Sequence, residues 1–98
     1  MIRKFIPVEE VAKKFPTEVV RIRHSFSRDW DGDPAIYFRI VVTDEAVNRH
    51  ALSELTHRIE DALIKDLALY QSEYSVYIPY FDFRTRSEQE RSKDPQWE

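Results

Sequence analysis

Apolar residues recur along this chain in three rhythms. Val8, Val11, Ala12 and Phe15 fall at i, i+3, i+4 and i+7, one face of a helix. Pro7 suits the first turn, Glu9 and Glu10 near the start and Lys13 and Lys14 near the end complement the helix dipole, and Pro16 stops the pattern. The rhythm then changes to two. In residues 18 to 28 Val20, Ile22, His24 and Phe26 alternate with Val19, Arg21, Arg23 and Ser25. In residues 35 to 43 Ile36, Phe38, Ile40 and Val42 alternate in the same way, so both segments read as half-buried strands. The helical rhythm returns after Thr43 and Asp44, which offer caps. Leu52, Leu55, Ile59, Ala62, Leu63 and Leu67 form the stripe of one longer helix ending near residue 67. The aromatic run YSVYIPYFDF, residues 74 to 83, predicts a third strand, with Pro79 at an edge or bend. The chain then turns polar. Ser87 and Glu90 have capping-box spacing for a short helix, which Pro95 would end.

The stretch SRDWDGDP between the first two strands contains the chain's single glycine, three aspartates and a tryptophan. Directly opposed residues of an antiparallel hairpin share a face, so paired residue numbers must sum to an even value here. A two-residue Asp31-Gly32 turn would give odd sums and split the apolar rows. A three-residue loop, Trp30-Asp31-Gly32, pairs Asp29 with Asp33 and puts Gly32 at the left-handed position. Phe26 then faces Ile36, His24 faces Phe38, and Ile22 faces Ile40. The spacing is wrong for an EF-hand, because the glycine stands at position 4 counted from Asp29, and position 12 is Ile40. The stretch therefore reads as an acidic turn.

Composition narrows the function classes. The chain has 98 residues, 42% hydrophobic and 34% charged, which matches one globular domain. With no cysteine there is no thiolate metal site and no cysteine nucleophile. One glycine leaves no phosphate-cradling loop. No apolar run reaches the roughly 20 residues that span a bilayer, and the first residues lack the apolar core of a signal peptide, so no membrane association and a cytoplasmic location are expected. A net charge of −3 weighs against a general nucleic-acid binder.

The expected architecture is α+β: an α-β-β-α-β domain over residues 1–83, followed by a polar tail or short helix over 84–98. The helical crossover makes the third strand parallel to the second, and helices cover one face of a three-stranded sheet. The other face carries Arg21, Arg23, Tyr37 and Arg39 and is left open to a protein or to single-stranded nucleic acid. Tyr77, Tyr80, Arg84, Arg86 and Trp97 extend this binding set, since tyrosine suits half-wet interfaces and tryptophan and arginine are enriched at hot spots. Trp97 has a second reading, packing back on the domain. His50, Glu54 and His57, at i, i+4 and i+7, have the spacing of a weak zinc trio, the basis of a metal-enzyme alternative. No nucleophile, base and orienting group assemble from the sequence, so no catalytic residue and no cofactor are assigned.

The hairpin DWDGDPAIYFRIVV, the segment IPYFDFRTRSEQE and the ending DPQW resemble a group of uncharacterised small bacterial proteins, across about residues 18 to 97. Such proteins are encoded beside a HEPN-domain protein in toxin–antitoxin-like pairs. The resemblance implies a protein partner and carries no catalytic residues. A non-enzymatic interaction or regulatory module, bound to a second protein or to itself, is the leading expectation. Nucleic-acid binding on the sheet face is the alternative.

Overall fold

The computed structural model describes residues 6–49 and 51–98. Four helices and three strands follow in the order α1 (Val8–Ala12), β1 (Val19–Arg28), β2 (Pro34–Val42), α2 (Asp44–Arg49), α3 (Leu52–Asp66), β3 (Ile78–Thr85) and α4 (Arg86–Ser92). Short 3-10 turns at Glu73–Val76 and Pro95–Trp97 complete the chain. The fold is α+β. The sheet order is β1-β2-β3, with β1 antiparallel and β3 parallel to the central β2.

The hairpin register is the one the apolar rows require: Phe26 opposes Ile36, His24 opposes Phe38 and Ile22 opposes Ile40. The three-residue loop closes through Asp29 N–H to Asp33 O at 2.9 Å and Gly32 N–H to Asp29 O at 2.9 Å. Gly32 has φ +84°, the left-handed conformation that other L-residues adopt only at a cost. At the far end of β1 the alternation breaks. Val19 pairs with Val42 and Arg21 with Val41, so a bulge at Val20 turns Val19, and not Val20, into the core.

The core lies on one side of the sheet. Ile22, Ile36, Phe38 and Ile40 pack there against Val8 and Val11 of α1, Ala46 of α2, and Leu55, Ile59 and Leu63 of α3. Phe38 stacks on Phe81 of β3 at 5.4 Å between ring centroids.

The single helix expected after Thr43 is two helices, α2 and α3, separated at Ala51, whose ψ of 130° is extended. The reason is angular. Ala46 and Leu55 are nine residues apart, and at about 100° per residue a straight helix would put them on opposite faces. Both are buried, so the chain must break between them. Leu52, expected in the apolar stripe, is instead exposed at the start of α3.

Residues 84–98 are not a detached tail. The capping box at the start of α4 is Thr85 with Glu88, two residues earlier than Ser87 with Glu90. Both pairs have the spacing; β3 ends at Thr85, and the Ser87 hydroxyl donates instead to Asp44. After Lys93, in the left-handed conformation, the chain folds onto the side of the sheet opposite the core.

Candidate functional site

The outer sheet face is built from the odd-numbered positions of β1 and β2 and the even-numbered positions of β3. The C-terminal segment divides it into two halves. Trp97 covers the half near Val41 and is 5% exposed. The Arg84 guanidinium lies over its ring at 4.3 Å and reaches Gln89 Oε1 at 3.1 Å, Ser92 Oγ at 2.9 Å and Asp94 at 3.7 Å. Arg21 donates to the Trp97 carbonyl at 3.3 Å, and Arg23 donates to Glu98 O at 2.8 Å and Glu9 Oε1 at 2.7 Å. Gln89, buried, accepts from Arg84 and donates to the Asp94 carbonyl at 2.8 Å.

Four residues of the expected binding set take part in this arrangement, Arg21 and Arg23 from the sheet face expected to be open and Arg84 and Trp97 from the wider set. Arg21, Arg23 and Arg84 hold the C-terminal segment and do not stand ready for a partner. Trp97 packs back on the domain, so of its two readings the structure takes the first. Tyr77 sits elsewhere, half-buried beside Phe26 at 4.8 Å and packed against the core cluster. Arg86 is exposed at the first position of α4, away from the sheet face.

The other half of the face is uncovered and aromatic. Tyr37 of β2 and Tyr80 of β3 are register partners and stack at 5.1 Å with an interplanar angle of 17°. Trp30, at the hairpin tip, packs on Tyr80 at 5.9 Å and is 81% exposed. Arg39 lies over the Tyr37 ring at 5.9 Å and donates to Ser25 Oγ at 2.7 Å. Ile78, two residues before Tyr80 on the same face, is 41% exposed. Neither Trp30 nor Ile78 was singled out from the sequence. The available signal was a tryptophan at the tip of a three-residue loop, where its own strands are too short of surface to bury it.

Asp29 fixes this surface in place. One carboxylate oxygen accepts the amides of Asp31 at 3.0 Å and Asp33 at 2.9 Å, and the other accepts the Tyr80 hydroxyl at 2.9 Å. The hairpin loop is thereby tied to β3. Burial pushes the Asp29 carboxyl up, but the bonds from Tyr80 and the two amides outweigh it, and the group lies below the ordinary carboxylate range. Tyr80 is pushed up to about 12, chiefly by donating to Asp29.

A pH dependence with two edges follows. The unfolded chain protonates Asp29 near the ordinary value of 3.8, and the folded chain only at lower pH. That stabilisation is present above the ordinary value and is lost as pH falls through the lowered one. For Tyr80 the sign reverses. Its stabilisation is complete below pH 10.0 and is lost as pH rises through about 12. The urea midpoint is expected to drop at both edges. In Asp29→Asn the late tyrosine in a tyrosinate absorbance titration is expected to move down towards the ordinary value of 10.0. The acid edge shrinks without vanishing, because the Ser87 hydroxyl holds Asp44 low and the capping box holds Glu88 low. A late tyrosine unmoved by the substitution would refute the assignment.

The carboxylate oxygens of Asp29, Asp31 and Asp33 lie within 4.8 Å of one another. Both Asp29 oxygens already serve the loop and Tyr80. Of the zinc trio, His50 lies outside the described residues, Glu54 is exposed, and His57 Nδ1 is 2.8 Å from the Ser53 carbonyl of its own helix. A cleft of about 510 Å³ opens between Val47 and Leu52 on one side and Phe83 on the other. On its rim Arg84 is bound to the C-terminal segment and Glu88 to Thr85.

Comparison with known proteins adds no family to this geometry: no family model, no curated protein and no solved structure matches the chain. Among the described residues, no helix is long and apolar enough to cross a membrane.

Proposed function

We propose that this protein is an interaction module that docks a second protein on the uncovered aromatic half of its sheet. The observation that carries the reading is Trp30. A tryptophan 81% exposed gives up burial worth a few kcal/mol, and this one contacts the Tyr80 ring at 5.9 Å. A surface whose rings are already ordered loses less side-chain entropy on binding, about 0.5–1.5 kcal/mol for each side chain otherwise immobilised. Exposed Ile78 extends the apolar area, and the edge strand β3 beside it offers backbone groups to a partner. The resemblance of the hairpin and the β3 segment to small bacterial proteins encoded beside HEPN-domain proteins supports the same reading and suggests an antitoxin-like or regulatory role.

The test is affinity capture of the tagged protein from its native cells, with mass spectrometry and absorbance at 260 nm. A stoichiometric protein partner is expected, and Trp30→Ala is expected to weaken its binding by about 2 kcal/mol or more, roughly thirtyfold. Thermal unfolding of the variant should match that of the parent, because an exposed side chain contributes little to stability. A partner retained in full by Trp30→Ala contradicts the docking surface. The stacked Tyr37–Tyr80 pair under Arg39 also resembles a base-stacking platform. Co-purifying nucleic acid with no protein would favour that alternative.

A further inference from the structure

We infer that the segment docked on the aromatic half of the sheet is basic, with an arginine or lysine side chain laid over the Trp30–Tyr80 rings and facing the carboxylates of Asp31, Asp33 and Asp82. This rests on the docking reading above and specifies the chemistry of the partner.

Charge supplies the first argument. The division of the sheet face sorts its charges. Arg21, Arg23 and Arg84 lie in the covered half, paired with Glu98, Glu9 and Asp94. The uncovered half has Asp29, Asp31 and Asp33 with Arg28 at the hairpin end, and Asp82 lies in the boundary row beside its register partner Arg39. Both arginines are engaged, Arg28 with the Gly32 carbonyl at 2.7 Å and Arg39 with Ser25. The Asp31 and Asp33 carboxylates are exposed and accept no hydrogen bond from another described residue. A phosphate backbone brought to this surface would meet four carboxylates against two guanidiniums, a net negative charge. A cationic side chain would meet complementary charge.

Ring chemistry supplies the second. Indole and phenol faces attract guanidinium and ammonium groups, tryptophan most strongly. The chain already uses this combination internally. In the covered half Arg84 lies over Trp97 at 4.3 Å with Asp94 beside it at 3.7 Å. Trp30, with Asp31 and Asp33 following it in the loop, presents the same ring and carboxylate chemistry, and among the described residues no cation lies over its ring.

The test titrates the full chain by calorimetry with three probes: a capped peptide of arginines spaced by serines, the same peptide with glutamate replacing arginine, and an oligouridylate of equal length. The arginine peptide alone is expected to bind. Its affinity should fall about tenfold or more in the Asp31→Asn, Asp33→Asn double variant and in Trp30→Leu. It should also weaken as salt rises above about 0.15 M. Equal or better binding of the glutamate peptide or the oligouridylate overturns the inference, as does no arginine-peptide binding at millimolar concentration. Binding that falls in Trp30→Leu but not in the asparagine variant also overturns it, while leaving the aromatic docking surface intact. The docking reading itself fails separately, if the captured cellular partner is indifferent to Trp30→Ala.

Discussion

Trp97→Ala is expected to lower stability by about 3 kcal/mol, near the lower end for loss of a large buried aromatic side chain. For a domain of this size that is a fall of roughly 10–25 °C in Tm. The lower end applies because Trp97 anchors a short segment on the outer face of the sheet. Once the anchor is removed the segment can detach, so the total loss is bounded by the free energy that holds it. The consequences are local and specific. Val41, now 1% exposed, meets water, and Arg84, Arg21 and Arg23 lose their ordered partners. Chemical denaturation measures the loss, and trypsin cleavage at Arg84, Arg86, Arg91 and Lys93 should accelerate well before global unfolding. Trp30→Ala is the control, because the same substitution at an exposed tryptophan should leave both measurements within about 0.5 kcal/mol of the parent. Equal behaviour of the two variants would refute the division of the sheet face into a covered and an open half.

The contrast between the tryptophans also shows where the sequence was legible. Strand register was, because alternating apolar rows and a single glycine leave one hairpin compatible with both. The parallel pairing of β3 was, because a helical crossover from β2 returns the chain in the same direction. Three features were not. The bulge falls at the adjacent pair Val19 and Val20, and pattern alone cannot say which faces the core. The break between α2 and α3 depends on Ala46 and Leu55 both meeting the sheet, a tertiary demand that overrides a continuous helical pattern. The docking of residues 84–98 was the least visible. The sequence RSEQERS of α4 has no apolar residue, so there is no stripe to announce a buried face. It is held by the polar network of Arg84 and Gln89 and by one tryptophan. That is why Arg21 and Arg23, placed on the outer face by parity, and Arg84 read as partner-binding residues, while in the structure they bond to the chain's own C-terminal segment. The stacked pair of Tyr37 and Tyr80 was nearer to hand, since parity and the parallel crossover put both on that face, but the register that makes them neighbours came only with the structure.

Phe38→Ala is expected to cost about 3–5 kcal/mol, a large fraction of the stability typical for a domain. Phe38 is fully buried on the central strand, opposite His24 on β1 and stacked on Phe81 of β3. Its removal empties the layer where the sheet meets the core helices, and neither neighbour can move in without breaking its own ladder. The effect bears on the proposed site because Tyr37 and Phe38 are consecutive on β2 and project to opposite faces. Contacts made by Phe38 on one side keep the β2–β3 ladder that sets Tyr37 beside Tyr80 on the other. Phe38→Leu keeps most of the volume and should cost about 1.5 kcal/mol or less. If the sheet acts as a rigid support, Phe38→Leu retains full partner binding at a lower denaturation midpoint, and Phe38→Ala loses binding only in proportion to its unfolded fraction. A Phe38→Ala protein that is folded by circular dichroism but has lost near-ultraviolet aromatic signal and binding together would show instead that Phe38 holds the Tyr37–Tyr80 geometry directly.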